Sequence, residues 1–316
     1  MRKYFLLCAV LLAAMIVSPL SAMEKIHAAE PVSSVKKMNK NTVNILISET
    51  GEIIEADERE YVIGVLAAEA DMSHHKEALK AIATACFTYL RYIEEQGNTQ
   101  KFKGADISDS PDECQGYLDN EARKKKWGDR YDEYEKLAGE IADSVSGRLI
   151  TYDGEAILAV YHELNSGTTQ SAETVWGKDY QYLQAVESAG DRLSADYSKT
   201  VLLTEAEFKE YAENLEDMKL SDSAEEWFEL TDADDSGYVK SARIGEKEYS
   251  GAEIRDAFSL ASADFTVTYD EGRFTVKTLG KGHLVGMSLY GADYMARQGL
   301  DYEQILTYYY QNTEIL

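Results

Sequence analysis

Proline is scarce, with 3 in 316 residues, which excludes Pro-rich linkers and polyproline segments. Basic residues are also in short supply. Against 57 Asp and Glu there are 32 Lys and Arg, a formal net charge of -25, and such a chain repels phosphate backbones and anionic headgroups, so nucleic acid is excluded as a partner. Three cysteines cannot make a disulfide-rich scaffold. Cys8 sits inside an apolar run without the Leu-x-x-Cys setting of a lipoprotein site, which leaves Cys86 and Cys114 for one disulfide; placed among alanines in a helical pattern, Cys86 reads as a buried free thiol. Long apolar runs are confined to the N-terminus, where two cations precede an uncharged stretch from Tyr4 to about Ala22. That pattern predicts export, by a signal peptide or a membrane anchor over residues 1–22.

What remains is ample for a folded domain: 44% of residues are hydrophobic and 22 are tyrosines, flat faces suited to filling a core or stacking on sugars. Residues 23–44 are polar and aperiodic and read as a flexible tether, and residues 45–316 as the globular domain. The segment "TVNILIS" predicts a strand, residues 58–69 a helix, and "EALKAIATACFTYLRYIEEQ" a second helix starting at a Ser73 cap and stopping at Gly97. "GADISDSPDECQGYLD" is a loop and "RYDEYEKLAGEIADSV" a helix. "RLITYDGEAILAVYHEL" is a hairpin turned at Asp153-Gly154. Acidic surface helices follow over 204–229, short strands over 238–277, and a closing helix in "DYEQILTYYYQNT". The mixture predicts an α+β fold.

Two familiar motifs fail. "DADDSGYVKSAR" places Asp232, Asp234, Ser236 and Gly237 like a calcium loop, but Arg243 stands where the bidentate glutamate belongs, so a turn is expected. Gly280, Gly282 and Gly286 of "GKGHLVG" miss the dinucleotide spacing.

One acid is out of place. Val62, Val65, Leu66 and Glu69 share a helical stripe, so Glu69 lies on the apolar side of its helix and at its C-terminus, where the dipole disfavours an anion. Burial and dipole together raise its pKa, as a general acid requires. A purely structural glutamate would instead cap the helix or pair with Lys80 or a histidine of "SHHKE".

Three blocks, "VIGVLAAEA" with "EALKAIATACFTY", "DECQGY" running on to "YHELNSGTTQSAETVWGKDYQYLQAV", and "GKGHLVGMSLYGADYMARQGL", resemble in order and spacing the stage II sporulation protein D family of cell-wall lytic transglycosylases. The resemblance implies that Glu69 is catalytic and that Lys80, Gln115, Tyr117, His162, Ser166, Gly167, His283, Ser288 and Tyr290 contact glycan; Trp176 matches too, and is equally suited to a core. It implies peptidoglycan glycan strands stripped of stem peptides as substrate, with an amidase and membrane proteins of an engulfment complex as partners. The chain departs from the family at Ile82, Phe87 and Leu289, where polar residues are usual. No cysteine lies near His162, so no metal and no cofactor is expected. Those departures keep open a non-catalytic wall-binding scaffold, and Glu173 or Asp106 as second acids keep open a hydrolase.

Overall fold

The computed structural model describes residues 42–316 apart from 98, 99 and 112. The N-terminal apolar run and nearly all of the expected tether lie outside the described residues. Among those described, no helix is long and apolar enough to cross a membrane.

The chain opens with β1 (Thr42–Leu46) and β2 (Ile53–Asp57), an antiparallel pair; the boundary placed after residue 44 therefore falls inside the first strand. Asp57 caps α1 (Glu58–Glu69) by accepting from the Glu60 amide. The helix is buried on every side from Tyr61 to Ala67, more than the single stripe in its sequence implied. Its end is set by Ala70, which is extended, and by Asp71, whose side chain accepts from the Ser73 amide. That turn consumes Ser73, so α2 (Lys76–Gln96) is capped by His75 and not by Ser73. Gly97, left-handed at φ 66°, stops it, as a C-terminal glycine does. The alanines of α2 let neighbouring helices approach closely, and Ile82, Cys86 and Phe87 are core residues. Cys86 and Cys114 are both free.

β3 (Ile107–Ser108) pairs in parallel with β1 inside the expected loop. Then come α3 (Asn120–Trp127), a helix its sequence did not announce, and α4 (Tyr131–Ser144). β4 (Ile150–Tyr152) and β5 (Glu155–Ala156) form the expected hairpin, with Asp153 and Gly154 both at positive φ, the signature of a type I′ turn. The hairpin ends there: β6 (Tyr161–His162) pairs in parallel with β13 (Met287–Ser288), far along the chain. The short helix α5 (Ala172–Trp176) follows β6.

The buried apolar side chains divide into two large clusters. The first holds α1 to α4 together with α8 (Leu289–Arg297) and α9 (Tyr302–Tyr309); the chain closes with β14 (Glu314–Ile315) against β4. The second is an inserted α+β segment. It comprises β7 (Ser198–Thr204), α6 (Glu205–Ala212), β8 (Phe228–Ala233), β9 (Val239–Ile244), β10 (Lys247–Ser250), α7 (Gly251–Ala257), β11 (Phe265–Asp270) and β12 (Arg273–Leu279), in sheets ordered β10-β9-β8 and β11-β12-β7. Phe208, Trp227, Phe258 and Phe274 pack ring against ring at its centre. The former calcium-loop candidate is the β8–β9 turn, where the Asp234 side chain accepts from the Ser236 and Tyr238 amides.

Candidate active site

α1 delivers Glu69 to the wall of a cleft of about 640 Å³, within the size range of small-molecule and glycan clefts. Its floor and rim come from the turn after α1, from Lys126 and Trp127 of α3, from Tyr134 of α4, from Glu163 and Leu164 after β6, and from Leu289, Tyr290, Asp293 and Arg297 of α8. Trp127, Tyr134 and Tyr290 supply aromatic faces.

The environment of Glu69 is specific. Its Oε1 accepts from the Gly116 amide at 2.5 Å. A Cβ at residue 116 would lie 2.9 Å from that oxygen and 3.1 Å from the Ala68 Cβ, so the backbone can come this close only because residue 116 is glycine. Burial raises the carboxyl pKa; the Gly116 bond and the Lys126 charge pull the other way without cancelling it. Lys80, the cation proposed as a structural partner, is elsewhere: its Nζ bonds Glu77 at 2.6 Å and sits over the Tyr302 ring.

Of the ten residues singled out above, the cleft collects two, Glu69 and Tyr290. The other eight do not line it. Gln115 is 4% exposed, and its amide is taken up by the Tyr61 hydroxyl, the Cys86 carbonyl and the Tyr161 hydroxyl. Tyr117 stacks on Tyr61 and covers Gly64. Ser288 caps α8 through the Gly291 amide and donates to Asp191. Gly167, at φ 108°, packs its Cα against Arg192, where any Cβ would collide; Ser166 is buried beside it. Lys80 belongs to the ion pair already described. His162 is buried, donating from Nδ1 to the Val285 carbonyl, and desolvation pushes its pKa down to about 3. His283, whose ring stands 5.9 Å from that of His162 and 5.3 Å from that of Trp176, is lowered to about 4 by burial and then by Arg255. Trp176 is 39% exposed and is not core.

Ser288 belongs to a wider buried network. Asp191 accepts from the Asn165 amide and side chain, from Ser188 and from Ser288, tying the loop after β6 to the start of α8. Two walls of the cleft are thereby held together. Gly116 and Lys126 escaped the sequence reading. Gly116 lies inside the "DECQGY" block, but its neighbours Gln115 and Tyr117 carried the chemistry-bearing side chains; Lys126 stands in a run of three lysines that reads as solvated surface.

The sequence is similar to those of known proteins. The family described as Stage II sporulation protein (SpoIID) matches residues 48–152, which include Glu69, Gly116 and Lys126. Stage II sporulation protein D of Bacillus subtilis (strain 168) is 34% identical over 81% of this chain and 73% of its own length. The chain belongs to the stage II sporulation protein D family. The protein of the same name from Bacillus amyloliquefaciens is 32% identical over the same shares. A more distant relative of this family member, the "Amidase enhancer" of Bacillus subtilis (strain 168), is 24% identical over 55% of this chain and 32% of its own length. Of the positions where the chain departs from the usual family pattern, Ile82 and Phe87 lie in the core and line no part of the cleft, whereas Leu289 does line it.

Proposed function

We propose that this sporulation protein is an exported peptidoglycan lytic transglycosylase in which Glu69 acts as general acid and then general base. The observation that carries the reading is a desolvated carboxyl on a cleft wall, without an ion-pair partner among the described residues and with one oxygen committed to the Gly116 amide. The proton therefore rides on Oε2. Glu69 gives that proton to the glycosidic oxygen between N-acetylmuramic acid and N-acetylglucosamine, and the C1–O bond breaks. The 6-hydroxyl of the muramoyl residue attacks C1, and the Glu69 carboxylate takes up the hydroxyl proton. A 1,6-anhydro end and a free 4-hydroxyl result, with no water consumed. The attack is intramolecular, and proximity stands in for an activated water.

A hydrolase needs a second free carboxylate. Glu173 and Asp106 do not line the cleft. Of the acids that do, Asp71 accepts from the Ser73 amide, Glu163 pairs with Lys281 at 2.6 Å, and Asp293 holds the His75 amide and Arg297; Asp196, exposed to solvent on the cleft rim, is the carboxylate a hydrolase would have to use. The scaffold reading loses two of its three motives with Ile82 and Phe87 in the core. Export through the N-terminal apolar segment would place the protein at the wall, and likeness to an amidase enhancer favours an amidase that strips stem peptides beforehand. Incubation with denuded glycan strands and analysis of the new ends decides: 1,6-anhydro ends are expected, reducing ends mean a hydrolase, and binding without cleavage means a scaffold.

The close approach at Gly116 makes a second expectation. Gly116→Ala sets a Cβ 2.9 Å from Oε1, so the carboxylate must shift by some tenths of an ångström; since misplacement of a catalytic group by about 1 Å costs on the order of 100-fold in rate, this smaller shift should cost roughly 10-fold. Release of anhydro ends should fall by about that factor, with thermal unfolding little changed.

A further inference from the structure

The last turn of α1 contains no basic residue, although it ends on an acid and its final carbonyls have no helical partners. A cation arrives from another helix. Lys126, in the last turn of α3, places Nζ 2.6 Å from the Ala67 carbonyl and 3.2 Å from the Ala68 carbonyl, the two peptide groups that precede Glu69. The same side chain lines the cleft. We propose that Lys126 is a positioning residue for Glu69, closing the C-terminus of α1 and holding a positive charge beside the carboxylate that forms when Glu69 has given up its proton.

The need follows from the reaction assigned above, on which the consequence for turnover rests. One carboxyl must serve in both protonation states, and both its burial and the negative end of α1 oppose the anion. An acid in that setting holds its proton but is reluctant to release it. Among the described residues Lys126 is the cation whose field reaches Glu69, and it lowers the cost of the anion. The other charged and titratable groups around Glu69 leave this role to it. On the cleft side Asp71 and Glu163 are bonded to Ser73 and Lys281, and Asp196 is an anion exposed to solvent. Beneath it, burial keeps Cys86 and Tyr161 protonated, and burial keeps His74 neutral. Arg297 is paired with Asp293.

Two variants separate charge from hydrogen bonding. Lys126→Gln keeps a donor for the α1 carbonyls and loses the charge; Lys126→Arg keeps both. Glu69 is titrated in the full chain by carboxyl carbon NMR, its resonance assigned by its absence in Glu69→Gln, and anhydro-end release is followed across pH. In Lys126→Gln the Glu69 midpoint should move to higher pH, the alkaline limb of the rate profile, where Glu69 loses the proton it donates, should move with it, and kcat should fall on the order of 5-fold with KM unchanged, the size expected for losing a helix-terminal charge. Lys126→Arg should restore both. A glutamine variant whose Glu69 titrates as in the wild type, or an arginine variant as impaired as the glutamine one, overturns the proposal. A wild type that titrates as expected yet releases no anhydro ends overturns the transglycosylase reading and leaves the Lys126 assignment standing, since the NMR titration needs no turnover.

Discussion

Glu69→Gln is expected to lower release of 1,6-anhydro ends by about 100- to 10,000-fold, the range contributed by a general acid or base, while the protein stays folded. Glutamine retains an oxygen for the Gly116 amide, now 2.5 Å away, so geometry is kept and proton transfer is lost. The stability arm carries a sign. Burial holds the folded-state pKa of Glu69 above its ordinary value of 4.5, so the native state binds more protons than the unfolded chain between the two values. Stability is therefore greatest below the unfolded pKa and declines as pH rises toward the folded one. Glutamine has no such decline. At pH 7 the variant should unfold no lower than the wild type, and near pH 4 the difference should close. A glutamate kept for a structural ion pair would give the opposite result, because removing it strands a cation. Unfolding midpoints of both proteins at pH 4 and pH 7, beside product analysis, test this; retained cleavage, or stability lost together with activity, removes Glu69 from the chemistry.

The second large effect is expected at Arg123, whose side chain is 0% exposed. It grips Glu135 of α4 with two nitrogens at 2.9 and 3.0 Å, Glu60 of α1 at 2.7 Å and the Leu118 carbonyl at 3.0 Å. One planar guanidinium thus bolts together the three helices that supply Glu69, Lys126 and Tyr134 to the cleft. Arg123→Met leaves two carboxylates facing each other without a cation. Breaking a buried pair costs about 3–5 kcal/mol, and the lower end applies because Glu60 and Glu135 keep 34% and 26% of their side-chain surface in water. Denaturant unfolding should therefore show a loss of about 3 kcal/mol. Arg59→Ala is the matched control: its partner is Asp143, both side chains are more than half exposed at 51% and 62%, and the loss should be under about 1 kcal/mol. Equal losses for the two variants would mean that Arg123 does not organise the helices.

What could be read from the sequence alone was what neighbouring residues decide. That residues 58–69 form a helix with an acid at its apolar end followed from the apolar periodicity. The stop of α2 at Gly97, the turn at Asp153-Gly154 and the rejection of a calcium loop were equally local, resting on positive φ, two-residue turn chemistry and one misplaced arginine. The order of three blocks pointed to the family. Tertiary structure decided the rest. Gly116 stands 47 residues from Glu69 along the chain, and Lys126 59 and 58 residues from the carbonyls it caps; contacts over such spans leave no periodicity to detect. Whether Gln115, Ser288 or Gly167 faced a ligand or the interior could not follow from residue type, because a polar group is as well satisfied by Tyr61, Asp191 or a backbone amide as by a sugar. The division of the apolar residues into two clusters was likewise invisible, since hydrophobic patterning says that a side chain is buried and not against which neighbours, and packing alone settles that.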